Sequence, residues 1–204
     1  MPDSSLRLAV LASGRGSNLQ AIIDAIEQRR LQAVLAVVIS NKAEAPALER
    51  ARKHGVPALF LDPKAVSARE AYDAAILEHL RKHDVGLVAL AGYMRIVTRV
   101  LLDAYPHRIL NIHPSLLPAF PGLGAQQQAL DWGAKVSGCT VHFVEEGVDT
   151  GPIIQQAAVP VLEGDTAESL ESRILVQEHR IYPEAIQLFA EGRLRIEGRR
   201  VHIK

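Results

Sequence analysis

The sequence predicts an α/β protein built on an open, mostly parallel, twisted sheet with helices on both faces. Strand-like and helix-like segments alternate through the first hundred residues in the order βαβαβαβ. The strand-like segments are short apolar runs, as expected for strands that are covered on both faces. The helix-like segments repeat apolar residues every three or four positions. Such alternation is typical of a parallel sheet whose crossover helices lie on its two faces.

The elements of the first half follow each other at short intervals. The first apolar run ends at a Ser-Gly pair, and Leu19, Ile22 and Ile26 then recur at helical spacing. Ser67 and Glu70 form a capping box that starts a longer helix. The predicted strands are Leu6–Ala12, Val34–Ile39, Pro57–Leu61 and Val85–Ala91, and the predicted helices are Ser17–Gln28, Ala45–His54 and the one that starts at Ser67.

The second half is less regular. A helix should start at Asp165 or Thr166, and Pro183 should break or restart it. With no internal repeat and no flexible linker, the chain is predicted to be a single domain, 1–204, with halves 1–105 and 106–204. The predicted strands are Arg108–Ile112, Gly138–Val144 and Ile153–Val161, with an acidic turn over Glu145–Pro152 and a short basic hairpin over Leu194–Ile203.

Composition limits the classes of function. The chain has 23 basic and 23 acidic residues, so it lacks the basic excess that is typical of nucleic-acid binders. Its one cysteine, Cys139, excludes an intrachain disulfide and is expected to be a buried structural thiol, with a catalytic thiolate as the alternative. No apolar run approaches the ~20 residues of a membrane helix, and Met1–Ser5 does not resemble a signal peptide. We therefore expect a soluble, cytoplasmic protein without membrane or nucleic-acid partners.

The eight histidines raise the question of a metal site. His79 and His83 are four residues apart on a predicted helix, which is a spacing that metal ligands use. The helix is charged around them, however, and no glutamate-flanked zinc motif occurs. We expect a solvated helix face there and no metal.

Parallel α/β sheets bind ligands beyond the carboxyl ends of their strands. Four segments of this sequence directly follow a predicted strand, so the fold should bring them to one edge of the sheet. They are Ser13–Asn18, Ser40–Asn41, Gly92–Arg95 and Asn111–His113.

The segment Ser13–Asn18 is a glycine-rich turn between a strand and a helix. Glycines allow close approach of the backbone to a ligand, and amide groups at a helix start bind phosphate. Leu19 stands where a dinucleotide fingerprint has its third glycine, and the lysine of an ATP-binding loop is missing. A phosphomonoester therefore fits better than NAD or ATP, and the alternative is a plain strand–helix turn.

Asn111 and His113 are two residues apart, so a strand places them on the same face. An amide beside an imidazole donates hydrogen bonds to a developing oxyanion. If Asp149 lies near His113, its charge favours the imidazolium. The alternatives are a histidine paired with a backbone carbonyl and, for Asp149, an ordinary turn former.

Several segments together resemble the folate-dependent formyltransferase family, in particular its branch that acts on glycinamide ribonucleotide. They are Ser13–Gln20, Ala91–Ile96, Leu110–Pro118, Asp149–Ile154 and Gln177–Pro183. The His-Pro-Ser-Leu-Leu-Pro motif is shared by the family, whereas the Gly-Ser-Asn loop is more specific to this branch. The resemblance implies a formyltransferase-like fold with a Rossmann-type N-terminal half. It also implies transfer of the formyl group of 10-formyltetrahydrofolate to the amine of glycinamide ribonucleotide, in de novo purine biosynthesis, without a metal.

The resemblance also implies roles for the matching positions, in a protein that is a monomer or homodimer with small-molecule substrates. The implied catalytic residues are Asn111, His113 and Asp149. The residues implied for the ribonucleotide are Gly16, Ser17, Asn18 and Glu178. Those implied for the folate are Arg69, Met94, Arg95, Ile96, Val97, Asn111 and Asp149.

One segment departs from the family pattern. Family members usually carry histidines after Pro-Gly-Leu, at positions that correspond here to Gly124 and Gln126. Substrate contacts and loop ordering in this segment are therefore in question. Two other functions stay open: a formyltetrahydrofolate deformylase, which uses water as acceptor, and a non-catalytic nucleotide-binding module.

Overall fold

The computed structural model describes residues 5–204, which group into two compact units. The first unit ends at Leu110 and the second is Asn111–Lys204. The predicted halves divide close to this point, while the single-domain organisation stays a prediction. The expectation that the chain does not begin with a signal peptide concerns residues 1–5. Of these, residues 1–4 lie outside the part that the structure describes.

The first unit alternates strands and helices as predicted. Its strands are β1 (Leu6–Ala12), β2 (Ala33–Ser40), β3 (Ala58–Phe60), β4 (Leu87–Leu90) and the start of β5 (Ile109–His113). Its helices are α1 (Ser17–Glu27), α2 (Pro46–Lys53), α3 (Arg69–Lys82) and α4 (Arg99–Ala104), with a 3-10 turn over Pro63–Ala65. The pairs β1–β2, β1–β4 and β2–β3 are all parallel.

The core of this unit lies on β1, β2 and β4, whose central residues are fully buried. The apolar stripe of α1 is buried as well, with Leu19 and Ile22 inaccessible to solvent. Because the strands are covered, polar side chains reach the surface of this region chiefly where the strands end. The loops at the strand ends are therefore the places in this unit where polar side chains are available to a ligand.

The second unit mixes strand directions. It begins within β5 and contains α5 (Ala125–Asp131), β6 (Val136–Phe143), β7 (Ile153–Pro160), α6 (Ala167–Ala190), β8 (Leu194–Glu197) and β9 (Arg200–Ile203). The strands β6 and β7 are antiparallel, β9 joins β7 in parallel, and β8 and β9 form an antiparallel hairpin. The predicted hairpin at the C-terminus is thus confirmed. Thr166 caps α6 in a capping box with Ser169, as expected for a helix starting there.

Two predictions about helix ends were wrong. Ser67 does not cap α3, because Val66 and Ala68 are extended and the helix begins only at Arg69, with Ala68 in the capping position. Pro183 does not break α6, which runs without interruption to Ala190. A proline inside a helix costs roughly 3 kcal/mol. Here the turns around Pro183 are buried, at Tyr182 and Ile186 for example, and this packing offsets the cost.

Two short helices were missed by the sequence analysis. The helices α4 and α5 contain six and seven residues, which is too short for apolar periodicity to be recognised. Within residues 5–204, no helix is long and apolar enough to cross a bilayer.

Candidate active site

A cluster of four polar side chains lies in the second unit. Asn111 and His113 project from β5, His142 from β6, and Asp149 from the turn between β6 and β7. His113 Nδ1 is 3.2 Å from Asp149 Oδ2, and Asn111 Nδ2 is 3.1 Å from His142 Nε2 and 3.4 Å from Asp149 Oδ1. The structure therefore brings the three predicted catalytic residues together.

The Asp149 carboxylate is held by the backbone as well as by side chains. Its Oδ2 accepts a hydrogen bond of 2.8 Å from the Gly122 amide. Asp149 itself has φ 55°, in the left-handed region that aspartate tolerates better than most residues. Its side chain is only 11% exposed, so the carboxylate is directed inward and not into solvent as in an ordinary surface turn.

Burial and hydrogen bonding act in opposite directions on Asp149. Burial by itself would raise its pKa, but the hydrogen bonds from His142 and the Gly122 amide, and the charges of His113 and His142, together lower it below the ordinary value. Asp149 is therefore a carboxylate across the neutral pH range, and it supplies a fixed negative charge to the cluster.

His113 is buried between two acceptors. Its Nδ1 faces Asp149, and its Nε2 lies 2.9 Å from the carbonyl oxygen of Phe120. A neutral imidazole has one N–H and satisfies one acceptor, whereas the imidazolium satisfies both. Burial lowers the pKa of His113, and the Phe120 carbonyl and the Asp149 carboxylate offset only part of this effect. The contacts thus suit the charged form, and burial opposes it.

The sequence analysis did not identify His142. It lies on a buried strand, its side chain is 2% exposed, and its Nδ1 is 2.8 Å from the Phe143 carbonyl. Its Nε2 lies 3.1 Å from Asn111 Nδ2 and 3.6 Å from Asp149 Oδ1, so the ring faces both side chains. The only sequence signal was an imidazole in an otherwise apolar run, which is more often a structural histidine than a functional one.

The glycine-rich turn lies at the start of α1 in the first unit. Gly16 has φ 74° and occupies the capping position of the helix. A Cβ there would lie 2.9 Å from Cα of Ala47, so the loop has no room for a side chain. The first turn of α1 contains no acidic residue, and the Ser17 and Asn18 amides stand at the positive end of the helix dipole. This geometry suits an anion.

The loop after β4 carries Met94, Arg95, Ile96 and Val97, and two buried side chains fix it. Ser13 accepts a hydrogen bond of 2.8 Å from the Met94 amide, and Asp73 accepts one of 2.6 Å from the Thr98 amide. The Arg95 guanidinium lies over the Tyr72 ring at 4.6 Å. Met94 and Ile96 are 63% and 58% exposed, so the loop offers apolar surface on a rigid backbone.

The two remaining residues that were predicted to bind substrate lie on helices, Arg69 on α3 and Glu178 on α6. Arg69 is exposed at the start of α3. Glu178 is buried on α6, near Cys139. Cys139 is buried and free, as predicted, and burial raises its pKa to about 12, so it is not a thiolate near neutral pH. Residues 5–204 contain no group of three or more acidic, histidine or cysteine side chains placed to hold a metal ion.

A family model described as formyl transferase matches residues 6–186, which is most of the chain. The chain belongs to the formyltransferase family. Phosphoribosylglycinamide formyltransferase of Bacillus subtilis (strain 168) is 48% identical over 181 residues, and the match covers 89% of this chain and 93% of that protein. The trifunctional purine biosynthetic protein adenosine-3 of Drosophila pseudoobscura pseudoobscura is 51% identical over 191 residues, covering 93% of this chain. The chain spans only 14% of the length of that relative.

Solved structures of similar enzymes share the fold. Glycinamide ribonucleotide transformylase 1 from Symbiobacterium toebii is 64% identical with a TM-score of 0.97, covering all of this chain and 95% of that one. A formyltetrahydrofolate deformylase from Pseudomonas syringae is 28% identical with a TM-score of 0.90, covering 98% of this chain and 66% of that one. The predicted fold class is therefore confirmed.

The segment that departs from the family pattern is ordered by its own contacts. Gly124 has φ 67° and occupies the capping position before α5. The side-chain amide of Gln128 donates to the carbonyl oxygens of Pro121 and Leu123, at 3.1 and 3.0 Å. The Gln128 side chain thus holds the loop that contains Phe120 and Gly122, the backbone partners of His113 and Asp149.

Proposed function

We propose that this protein transfers the formyl group of 10-formyltetrahydrofolate to the amine of glycinamide ribonucleotide. The products would be N-formylglycinamide ribonucleotide and tetrahydrofolate, in de novo purine biosynthesis. The observation that carries the proposal is the contact between His113 and Asp149 beside the Asn111 amide. Such a set polarises a carbonyl group and stabilises the oxyanion that forms from it. The full-length relative from Bacillus subtilis, named for the same activity, supports it.

In the first step the free amine attacks the formyl carbon, and a new C–N bond forms as the carbonyl π electrons move to oxygen. The Asn111 amide turns one of its N–H groups from His142 or Asp149 to that oxyanion, and the protonated His113 ring donates to it as well. His113 Nε2 exchanges the Phe120 carbonyl for the substrate oxygen, while Nδ1 keeps its contact with Asp149. The contact of His113 with Phe120 is therefore replaced when substrate binds, whereas its contact with Asp149 is kept throughout the reaction.

In the second step the oxyanion collapses and the bond between the formyl carbon and the folate nitrogen breaks. The proton lost by the attacking amine passes through water to the departing nitrogen, so no net proton is released. The enzyme forms no covalent intermediate in this scheme. The co-substrate supplies the activated carbon, and the protein supplies position and charge.

The binding roles follow from the same proposal. Gly16, Ser17 and Asn18 hold the ribonucleotide phosphate, and Glu178 recognises its ribose. Met94, Arg95, Ile96 and Val97, with Asn111 and Asp149, line the folate site, and Arg69 meets the glutamate tail. We further propose a cytoplasmic location, with a monomer or homodimer as the working form.

An absorbance assay with purified protein and a 10-formyl folate tests the function directly. We expect release of tetrahydrofolate only when glycinamide ribonucleotide is present. Equal release in its absence would make the protein a deformylase. Binding of the ribonucleotide without any release of folate would leave a nucleotide-binding module. The glycine-rich loop favours the transferase over the deformylase, because water as acceptor needs no phosphate site.

A further inference from the structure

The C-terminal hairpin β8–β9 contacts the turn that carries Asp149. Ile153, the first residue of β7, pairs with Arg200 of β9 in the sheet. Next to this pair, Arg199 Nη2 donates a hydrogen bond of 2.8 Å to the carbonyl oxygen of Thr150. A side chain 49 residues further along the chain therefore holds the residue that directly follows Asp149.

The turn between β6 and β7 is tightly wound at the same place. Gly151 lies so close to the Phe143 carbonyl oxygen that a Cβ would be 1.8 Å from it. The Thr150 hydroxyl donates to the Glu146 carbonyl at 3.2 Å. Asp149 itself occupies the left-handed region, with φ 55°. A residue in that conformation keeps it only while its surroundings fix the adjacent peptides.

We propose that Arg199 is a positioning residue for Asp149. By fixing the Thr150 carbonyl, the guanidinium holds the turn in the conformation that directs the Asp149 carboxylate toward His113 and the Gly122 amide. Arg199 is exposed in the turn between β8 and β9, and its hydrogen bond is to the Thr150 carbonyl and not to the Asp149 side chain. Its kinetic role rests on the proposed function, whereas its effect on the ionisation of His113 does not.

The test is the pKa of His113, measured by NMR in the wild type, in Arg199→Ala and in Arg200→Ala. A loosened turn weakens the contact with Asp149, so the pKa of His113 should fall in Arg199→Ala. Loss of a positive charge alone has the opposite sign, because removing a cation raises the pKa of a histidine. Arg200→Ala removes the same charge from a neighbouring exposed position and controls for this effect.

A fall in Arg199→Ala alone supports the proposal. An unchanged or raised pKa in Arg199→Ala, or an equal fall in both variants, overturns it. In the transferase assay, the loss of one hydrogen bond should lower kcat in Arg199→Ala by about two- to tenfold, with KM for both substrates unchanged. If the wild type shows no transfer, the proposed function fails, while the NMR titration still decides the role of Arg199.

Discussion

Asp149→Asn is the substitution that separates charge from shape in the cluster. The amide has nearly the same size as the carboxylate, and its oxygen still accepts the Gly122 hydrogen bond if it takes the Oδ2 position, 2.8 Å from that amide. What disappears is the negative charge 3.2 Å from His113 Nδ1, together with the acceptor that Oδ1 offers to Asn111 at 3.4 Å. An opposite charge within this distance typically shifts a pKa by about one to three. We therefore expect the pKa of His113 to fall by that amount.

The kinetic consequence has a definite sign. The proposed mechanism needs the protonated His113, so activity should be lost as pH rises through its pKa, which burial already lowers from the ordinary value. Without Asp149 this loss should move to lower pH. At neutral pH, each decrease of one in the pKa of His113 lowers the protonated fraction of the ring by about tenfold. We therefore expect kcat/KM to fall by about ten- to a thousandfold.

The assay is the pH profile of kcat/KM, which reports ionisations of the free enzyme, together with an NMR titration of His113. Asp149→Asn should gain relative activity at acid pH, whereas a simply misfolded protein would lose activity equally at every pH. An unshifted profile, with an unchanged His113 pKa, would refute the electrostatic role of Asp149.

Three further predictions concern single residues. Asn111→Ala should slow turnover by roughly a hundred- to a thousandfold while substrate binding persists, and unchanged turnover in the absorbance assay would remove Asn111 from the mechanism. His113→Asn should abolish the histidine-like ionisation in the pH profile, so a profile identical to that of the wild type contradicts its role. Gly16→Ala places a methyl group 2.9 Å from Cα of Ala47 and forces alanine into the left-handed region. The left-handed conformation costs alanine about 1–2 kcal/mol, and the strain should distort the loop that holds the phosphate. KM for the ribonucleotide should therefore rise about tenfold or more while KM for the folate stays constant. Equal changes in both constants would point to general destabilisation.

Much of the cluster could be located from the sequence because strand ends are recognisable. Asn111 and His113 follow an apolar run and share a face by the two-residue period of a strand, so their proximity was predictable from geometry. Asp149 was different. Its turn is 36 residues after His113, and nothing local indicates that the turn folds inward, so only the family resemblance could connect it with the histidine.

The contacts that could not be predicted from the sequence are those made by backbone atoms and by strands that are far apart along the chain. The Phe120 carbonyl and the Gly122 amide belong to a loop whose path depends on left-handed residues and on Gln128. His142 and Arg199 look like ordinary strand and hairpin residues until β6 and β9 are placed. Pro183 shows the converse, since a strong local signal for a helix break is overridden by burial of the surrounding turns.

The opposition of burial and acceptors at His113 explains how such a site favours the transition state. In the ground state, burial makes the imidazolium costly even though Asp149 and Phe120 suit it. In the proposed mechanism the formyl oxygen becomes an oxyanion beside the ring, and this second negative charge should raise the pKa of His113. The hydrogen bond from the ring therefore strengthens as the reaction proceeds. An interaction that gains strength only in the transition state lowers the barrier without tightening substrate binding, so the proposed mechanism gains from a histidine whose charged form is disfavoured by burial before the reaction begins.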